Sequence, residues 1–343
     1  MNLPNIKKIS KILIIRLSSM GDVILSSALV RSVRSACPDA MIDFAVAKQF
    51  AGSVEYNPRI SNIFKYDKSL EVKEILRRRD EFMKSNGIDK YDVVFDLQNN
   101  LRSRIFTRGI ADNISRIDKR RLYKLALVHM HKIISPPRHV ADIYMDAARP
   151  FGVTDDGRGL ELWLPDESGD YPPEARRQCE QPRSIAIAPG AHHFTKRWPA
   201  EKFARLADRL AERYGASIAT FGGAADVDIC RFIISLARAN IRDLSGSTSI
   251  ARTASRLDEY DLLVTNDTGM MHIAAARRVP VVAIFGSTVP ELGFAPWGTL
   301  SQIVRTNLRC QPCTHIGRED CPKGHFRCML DLNPVDIIPA IEK

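Results

Sequence analysis

The sequence predicts an α/β protein built on two doubly wound parallel sheets, and three observations support this prediction. The chain has 343 residues, which is more than a single hydrophobic core usually contains. Short apolar stretches that resemble fully buried strands alternate with amphipathic helical segments. This alternation fades between residues 150 and 182, where proline and glycine accumulate, and then starts again.

The first half of the chain begins with a strand predicted at residues 11–17, which is apolar almost throughout. The polar turn Ser18-Ser19-Met20-Gly21-Asp22 follows, and apolar residues at helical spacing start at Val23. Three more strands are predicted, at residues 41–46, 62–66 and 91–97. Helical patterns separate them, which is typical of a doubly wound sheet.

The second half repeats this organisation. The pattern predicts four strands, at residues 184–188, 216–221, 261–265 and 279–285. It predicts three helices between them, at residues 200–214, 226–240 and 270–277. We therefore predict two domains, residues 1–165 and residues 166–343, with a cysteine-rich tail on the second. Ligands of open α/β sheets bind beyond the carboxyl ends of the strands, so the loops at those ends and the cleft expected between the domains are the candidate sites.

Positive charge is concentrated in one segment of the chain. The formal net charge is +10, and residues 101–140 contain ten lysines or arginines but only Asp112 and Asp118 as acidic residues. Such a segment attracts polyanions by long-range electrostatics. It fits a solvated helical face, a nucleic acid, an anionic lipid surface or a phosphorylated substrate, and charge alone does not select among them.

The sequence also predicts a cytoplasmic protein. No apolar run approaches the roughly 18 residues that a transmembrane helix needs. The N-terminal region has a short apolar run between basic residues and no small-residue cleavage site, so a secretory signal is disfavoured.

The loop after the first strand offers a carboxylate, Asp22, near the start of a helix. The G-x-G-x-x-G fingerprint of dinucleotide-binding proteins is absent here and after the restart at Ser184, which disfavours a nicotinamide enzyme. Two interpretations of Asp22 remain open. It is a catalytic acid–base group facing the cleft, or it only interacts with the helix dipole.

A second candidate loop follows the first strand of the second domain. It contains Gly190, Lys196 and Arg197 ahead of a predicted helix. Glycine permits a close backbone approach and lysine supplies a point charge, so the loop suits phosphate oxygens. The alternative is a basic loop between domains that packs over Trp198.

A third candidate loop, Thr265 to His272, also lies between a predicted buried strand and a helix. Thr268 and Gly269 would present backbone N–H groups at the helix start, which can donate hydrogen bonds to a diphosphate. Asp267 is a candidate for the helix cap, and His272 is expected to point back toward the same opening.

These three loops together resemble the lipopolysaccharide heptosyltransferases of glycosyltransferase family nine. The resemblance rests on Ser18-Ser19-Met20-Gly21-Asp22, on Lys196-Arg197-Trp198-Pro199, and on Asn266-Asp267-Thr268-Gly269 followed by His272. It covers nearly the whole chain and is weakest over residues 65–90 and 110–180. It implies a GT-B fold, in which two Rossmann-like domains face each other across a cleft. It also implies an inverting, metal-independent transfer from a nucleotide sugar, typically ADP-heptose, to the inner core of lipopolysaccharide.

The resemblance also implies roles for individual residues. The N-terminal domain would bind the acceptor and the C-terminal domain the nucleotide sugar. Asp22 matches the general base of the family, and Lys196 matches its diphosphate-contacting lysine. The donor-binding loop would consist of Asp267, Thr268, Gly269 and His272. Gln98 and Arg102 follow the predicted strand at residues 91–97, and we expect them to contact the acceptor.

The resemblance also implies a partner for the basic segment, residues 101–140. A lipid-linked core oligosaccharide on an anionic membrane surface would attract it, which predicts a peripheral protein on the inner face of the inner membrane. One alternative is an enzyme of the same family that uses an N-acetylglucosamine or hexose donor. A nucleic-acid-binding protein is disfavoured because only two aromatic residues, Phe106 and Tyr123, lie within residues 101–140.

Four of the seven cysteines form a cluster near the C-terminus: Cys310, Cys313, Cys321 and Cys328. Their spacing is compatible with a structural zinc site and equally with free or packed thiols, and redox chemistry is a third alternative. No cofactor is expected for catalysis.

Overall fold

The computed structural model describes residues 9–165, 167, 181–247 and 249–342. Tertiary contacts divide these residues into two compact units. Of the described residues, unit 1 contains 9–119, 140–165 and 167, and unit 2 contains 120–139, 181–247 and 249–342. Residues 120–139, which the sequence places in the first domain, therefore pack with unit 2. The predicted boundary at residues 165–166 lies at the edge of the described residues.

Unit 1 is built on a five-stranded parallel sheet with the strand order β3-β2-β1-β4-β5. The strands are β1 (Lys11–Ile15), β2 (Met41–Ala47), β3 (Asn62–Tyr66), β4 (Tyr91–Asp96) and β5 (Ala111–Arg116). In the central register, Ile14 pairs with Phe44 on one side and with Phe95 on the other. The strand order reverses between β1 and β4, and this switch point is where open sheets of this type bind ligands.

The helices of unit 1 are α1 (Met20–Leu25), α2 (Ser27–Ala36), α3 (Val72–Ser85), α4 (Leu101–Phe106) and α6 (Val140–Met145). The sequence predicts one helix from Val23 onward, but the structure divides it at Ser26. The Ser26 hydroxyl donates to the Val23 carbonyl at 2.6 Å, which ends the short first helix.

Unit 2 is built on a six-stranded parallel sheet with the strand order β11-β10-β9-β6-β7-β8. The strands are β6 (Ser184–Ala188), β7 (Ser217–Gly222), β8 (Ile241–Ser245), β9 (Leu262–Asn266), β10 (Val281–Phe285) and β11 (Ser301–Arg305). Ile187 of β6 pairs with Val264 of β9 and with Thr220 of β7. The carboxyl ends of β6 and β9 therefore lie side by side.

The helices of unit 2 are α5 (Arg121–Met130), α7 (Ala200–Tyr214), α8 (Val227–Leu236), α9 (Ile250–Leu257), α10 (Gly269–Ala276), α11 (Arg327–Leu330) and α12 (Pro334–Ile341). Helix α7 starts after Pro199 and ends at Gly215, whose φ of +60° favours glycine. Its apolar face buries Phe203 and Leu206 against the sheet, in the same core as Trp198.

Both units have the predicted parallel α/β fold. The strands at residues 62–66 and 184–188 and the helix at residues 200–214 have their predicted bounds. The basic segment, residues 101–140, consists of α4, β5 and α5 rather than one helical face. In the part of the chain that the structure describes, none of the helices combines the length and the apolar character needed to span a membrane.

Candidate active site

Asp22 lies in the first turn of α1, just beyond the carboxyl end of the central strand β1. Its Oδ1 atom contacts the guanidinium of Arg16 at 2.7 Å and accepts a hydrogen bond from the Tyr144 hydroxyl at 2.7 Å. Its Oδ2 atom accepts hydrogen bonds from the backbone N–H and the hydroxyl of Ser19, at 3.1 and 3.0 Å. The carboxylate is therefore fixed by three residues, all within unit 1.

The surroundings of Asp22 keep it ionised. Burial raises the pKa of a carboxyl group, but the positive charge of Arg16 and the hydrogen bonds from Tyr144 and Ser19 outweigh that effect. The pKa of Asp22 is therefore below its ordinary value. Arg16 is itself held in place, because it donates a hydrogen bond to the Leu97 carbonyl at 2.7 Å. Asp22 is thus a positioned anion that can accept a proton at neutral pH.

Gln98, which the sequence predicts to contact the acceptor, is buried and holds the loop that leads to Asp22. Its Oε1 atom accepts hydrogen bonds from the backbone N–H groups of Leu17 and Ser18, at 2.9 and 3.2 Å. Arg102, the other predicted contact, is exposed on α4. Because β1 and β4 are neighbours, the loops that carry Gln98 and Asp22 leave the same edge of the sheet.

In unit 2, Lys196 and Asp267 form an ion pair between two of the candidate loops. Lys196 Nζ lies 2.6 Å from Asp267 Oδ2 and 3.3 Å from the Asp267 carbonyl oxygen. The Thr288 hydroxyl donates to the same Oδ2 atom at 2.6 Å. The pair is largely buried, and Asp267 holds the lysine ammonium at the carboxyl end of β9.

Asn266 joins the same two loops through its side-chain amide. Its Oδ1 atom accepts from the Trp198 backbone N–H at 3.2 Å, and its Nδ2 atom donates to the Pro189 carbonyl at 2.7 Å. This arrangement fixes the Lys-Arg-Trp-Pro segment next to the start of α10. The structure thus brings together the two loops that the sequence predicts to bind the donor.

Helix α10 begins directly after Thr268, and its first backbone N–H groups lack partners within the helix. Thr268 and Gly269 are half-buried, so the start of the helix is accessible, whereas His272 is buried one turn further on. The positive end of the helix dipole and Lys196 are therefore both located beyond β9. Together they can bind a dianionic group such as a diphosphate.

Several residues of these sites lie outside any recognisable sequence motif. Arg16 and Tyr144 contact Asp22, and Thr288 contacts Asp267. A charged residue at the end of the apolar run KILII indicates that Arg16 needs a buried carboxylate partner. Tyr144 and Thr288 give no comparable signal because their neighbours in sequence are ordinary core residues.

Asp226 is a further residue of this region that the sequence does not single out. It lies beyond β7, and a Cβ atom built on Gly190 would come within 2.1 Å of its Oδ1 atom. Glycine at position 190 therefore permits the loop after β6 to pass close to this carboxylate.

The four clustered cysteines lie in the loops between β11 and α11 and at the start of α11. Cys310 Sγ is 3.8 Å from His325 Nε2, and burial together with the neighbouring thiols raises the pKa of Cys328 to about 12. Among the described residues, no group of three or more histidine, cysteine, aspartate or glutamate side chains is arranged to hold a metal ion. The structural zinc site stays a prediction.

Comparison with known proteins identifies the family. Residues 79–322, more than half of the chain, match the sequence model described as glycosyltransferase family 9 (heptosyltransferase). Lipopolysaccharide heptosyltransferase 2 of Escherichia coli K12 is 25% identical over 345 residues, covering 96% of this chain and 97% of that protein. Lipooligosaccharide heptosyltransferase 2 of Campylobacter jejuni is 32% identical over 165 residues, and this chain spans only 50% of its length.

Solved structures show the same fold. A glycosyl transferase of family 9 from Veillonella parvula superposes with a TM-score of 0.76 at 22% identity, covering 97% of this chain and 96% of that one. The E. coli heptosyltransferase WaaC, solved with ADP-2-deoxy-2-fluoro heptose, has a TM-score of 0.62 at 19% identity, covering 89% and 96%. The fold and these matches define a glycosyltransferase with the GT-B fold. More specifically, the chain belongs to glycosyltransferase family 9, the heptosyltransferase family.

Proposed function

We propose that this protein transfers a heptose from ADP-heptose to the inner core of lipopolysaccharide, with inversion at the anomeric carbon and without a catalytic metal. The observation that carries the proposal is the ionised carboxylate of Asp22, held by Arg16, Tyr144 and Ser19 beyond the central strand of unit 1. An inverting transfer requires one such base.

In this mechanism Asp22 accepts the proton of the acceptor hydroxyl. The hydroxyl oxygen forms the new bond to the anomeric carbon from the face opposite the nucleotide, and the bond to the nucleotide breaks as it does so. Because Arg16 stabilises the ionised form, Asp22 is ready to act before the acceptor binds. A fixed base removes the cost of orienting it in the transition state.

Lys196 and the start of α10 are the proposed partners of the departing diphosphate. The leaving ADP gains negative charge, and a lysine beside a helix N-terminus stabilises such charge. Asp267 holds Lys196 in place. Thr268, Gly269 and His272 complete the proposed donor loop. The nucleotide sugar bound in the WaaC structure supports a donor of this class. In this proposal Lys196 and the start of α10 take the place of the divalent cation of metal-dependent transferases.

We assign acceptor binding to the N-terminal part of the chain, residues 1–165, and donor binding to residues 166–343. Gln98 and Arg102 are the proposed acceptor contacts. The acceptor class is a lipid-linked core oligosaccharide, so we place the protein on the inner face of the inner membrane. A donor that carries N-acetylglucosamine or a hexose is the alternative, and nucleotide preference distinguishes the two.

The variant Asp22→Asn tests the proposal. It should lower transfer from ADP-heptose to a core oligosaccharide about 10²- to 10⁴-fold, because the amide cannot take the proton. Its affinity for ADP, measured by calorimetry, should be unchanged. Asp112→Asn is the matched control, since Asp112 is an exposed carboxylate of the same unit. Equal loss of transfer and of ADP affinity would show that Asp22 is not the base.

Three further measurements test the stereochemistry of transfer, its independence of a metal and the nucleotide of the donor. NMR of the product should show the anomeric configuration opposite to that of the donor. Transfer in the presence of EDTA should proceed at the unchanged rate. Thermal stabilisation by ADP but not by UDP, GDP or CDP would identify the nucleotide, because a ligand that binds only the folded chain raises its melting temperature.

A further inference from the structure

Five large apolar side chains are exposed within one short stretch of unit 2. They lie on α5 and on the residues that follow it: Leu122 (77% exposed), Leu125 (58%), Met130 (59%), Ile133 (56%) and Ile134 (56%). We call this stretch, residues 121–134, the α5 surface. Single exposed apolar residues are ordinary, but five within 13 positions are a concentration typical of an interaction site.

The exposure is not caused by a detached helix. The opposite face of α5 buries Tyr123 and Leu127 in a cluster with Val289 and Leu292. The Tyr123 hydroxyl also donates to the Glu291 carbonyl at 3.0 Å. Leu122 and Leu125, three positions apart, share the outer face of the anchored helix. The fold therefore presents these leucines on a rigid support.

The charge of the same stretch selects among partners. Residues 120–139 contain five lysines or arginines and no aspartate or glutamate. Arg121 and Lys132 are exposed beside the apolar side chains, and neither has an ion-pair partner in the ranges that the structure describes. The surface is thus both apolar and cationic, which complements a bilayer with anionic headgroups.

We propose that the α5 surface is the membrane-docking site of this protein. Leu122, Leu125 and the isoleucines enter the boundary between headgroups and acyl chains, while Arg121 and Lys132 meet lipid phosphates. A nucleic acid or a soluble oligosaccharide would satisfy the cations but leave the apolar side chains in water, so these partners fit less well. The inference deepens the proposed function, because it rests on the peripheral location stated there.

Binding of the full-length chain to lipid vesicles tests the inference without donor or acceptor. The probe is vesicles of phosphatidylethanolamine with phosphatidylglycerol, compared with vesicles of phosphatidylcholine. Leu122→Ser combined with Leu125→Ser should weaken binding to the anionic vesicles about tenfold or more, because two apolar side chains no longer enter the bilayer. Leu236→Ser is the control, since Leu236 is an exposed leucine on α8, outside the α5 surface.

The cationic side chains have a separate test. Arg121→Gln combined with Lys132→Gln should weaken binding to anionic vesicles by about fivefold for each charge removed. Binding to phosphatidylcholine vesicles should change little. High salt should reduce the binding of the unaltered chain to the level of this variant.

Specific outcomes overturn the inference. The inference is wrong if the unaltered chain does not bind anionic vesicles. It is also wrong if the double serine variant binds as well as the unaltered chain, or if Leu236→Ser weakens binding equally. A loss of self-association in the double serine variant, with vesicle binding unchanged, would make a second copy of the chain the partner. Transfer to a deacylated acceptor reports on the proposed function alone, so its failure with intact vesicle binding leaves the docking site standing.

Discussion

The hydroxyl of Tyr144 donates a hydrogen bond to Asp22 Oδ1 over 2.7 Å, and the guanidinium of Arg16 contacts the same oxygen. Ser19 occupies the other oxygen through two donors. Each of these contacts comes from a group that favours the ionised form of the carboxylate. The geometry therefore positions the base and also lowers its proton affinity, and the predictions for unit 1 follow from this balance.

Tyr144→Phe should move the acid limb of the pH profile of transfer to higher pH. The hydroxyl lowers the pKa of Asp22, so its removal raises that pKa. The carboxylate acts as a base only when ionised, so activity is then lost at a higher pH than in the unaltered protein. The measurement is kcat/KM against pH. Tyr91→Phe, which removes a hydroxyl bonded to Asp43 in the same unit, should leave the profile in place.

Arg16→Gln should produce a larger shift in the same direction. Among the groups that lower the pKa of Asp22, the charge of Arg16 is the strongest, so without it only the hydrogen bonds from Tyr144 and Ser19 oppose the effect of burial. The carboxyl would then be protonated over more of the acid range. Ordering the three proteins by their acid limbs gives the check: an Arg16→Gln limb at or below that of Tyr144→Phe would contradict the assigned causes.

Lys196→Ala should weaken ADP binding about 10- to 100-fold, because one charge-assisted contact to the diphosphate is lost. Turnover should fall as well, since the leaving group gains charge in the transition state. Calorimetry with ADP and initial-rate kinetics measure the two effects. Lys323→Ala removes an exposed lysine of the same unit and serves as the control. Unchanged ADP affinity in Lys196→Ala would remove the lysine from the donor site.

Gly190→Ala should destabilise unit 2 by about 1 to 3 kcal/mol, because the new Cβ would lie 2.1 Å from Asp226 Oδ1. The Asp226 carboxylate cannot simply rotate away, since its Oδ2 accepts a hydrogen bond from the Gly223 backbone N–H at 2.9 Å. Denaturant unfolding measures the cost. Gly223→Ala is the control, with its Cβ in ordinary contact 3.8 Å from Asp226.

A double variant isolates the contact. If the clash with Asp226 causes the loss, Gly190→Ala should cost less when Asp226 is also alanine than when it is present. Additive losses would mean that the backbone at Gly190, and not the carboxylate, is the source.

The sequence predicts the sheets well because central parallel strands are apolar on both faces. Strands β5, β8 and β11 escape prediction for the opposite reason. Each lies at the edge of its sheet and is only partly buried, so polar residues interrupt the apolar pattern, as in Ala111–Arg116.

The residues of the candidate site also differ in whether a local sequence pattern indicates them. Asp22, Lys196 and Asp267 lie in short motifs directly after strands, where ligand-binding residues are expected. Tyr144 reaches Asp22 across 122 positions of sequence, and only the packing of α6 in unit 1 brings the two together. A contact of that kind has no local pattern by which to find it.

Residues 120–139 belong to unit 2, although residues of unit 1 precede and follow them, so neither unit is one continuous stretch of sequence. The chain passes from one unit to the other at residues 119–120, returns at 139–140, and crosses again after residue 165. A fragment that ends at residue 165 would carry α5 without Val289 and Leu292, the residues that cover its inner face. Unit 2 therefore has no contiguous coding region, and recombination between related genes can exchange it intact only by replacing two separate segments at once.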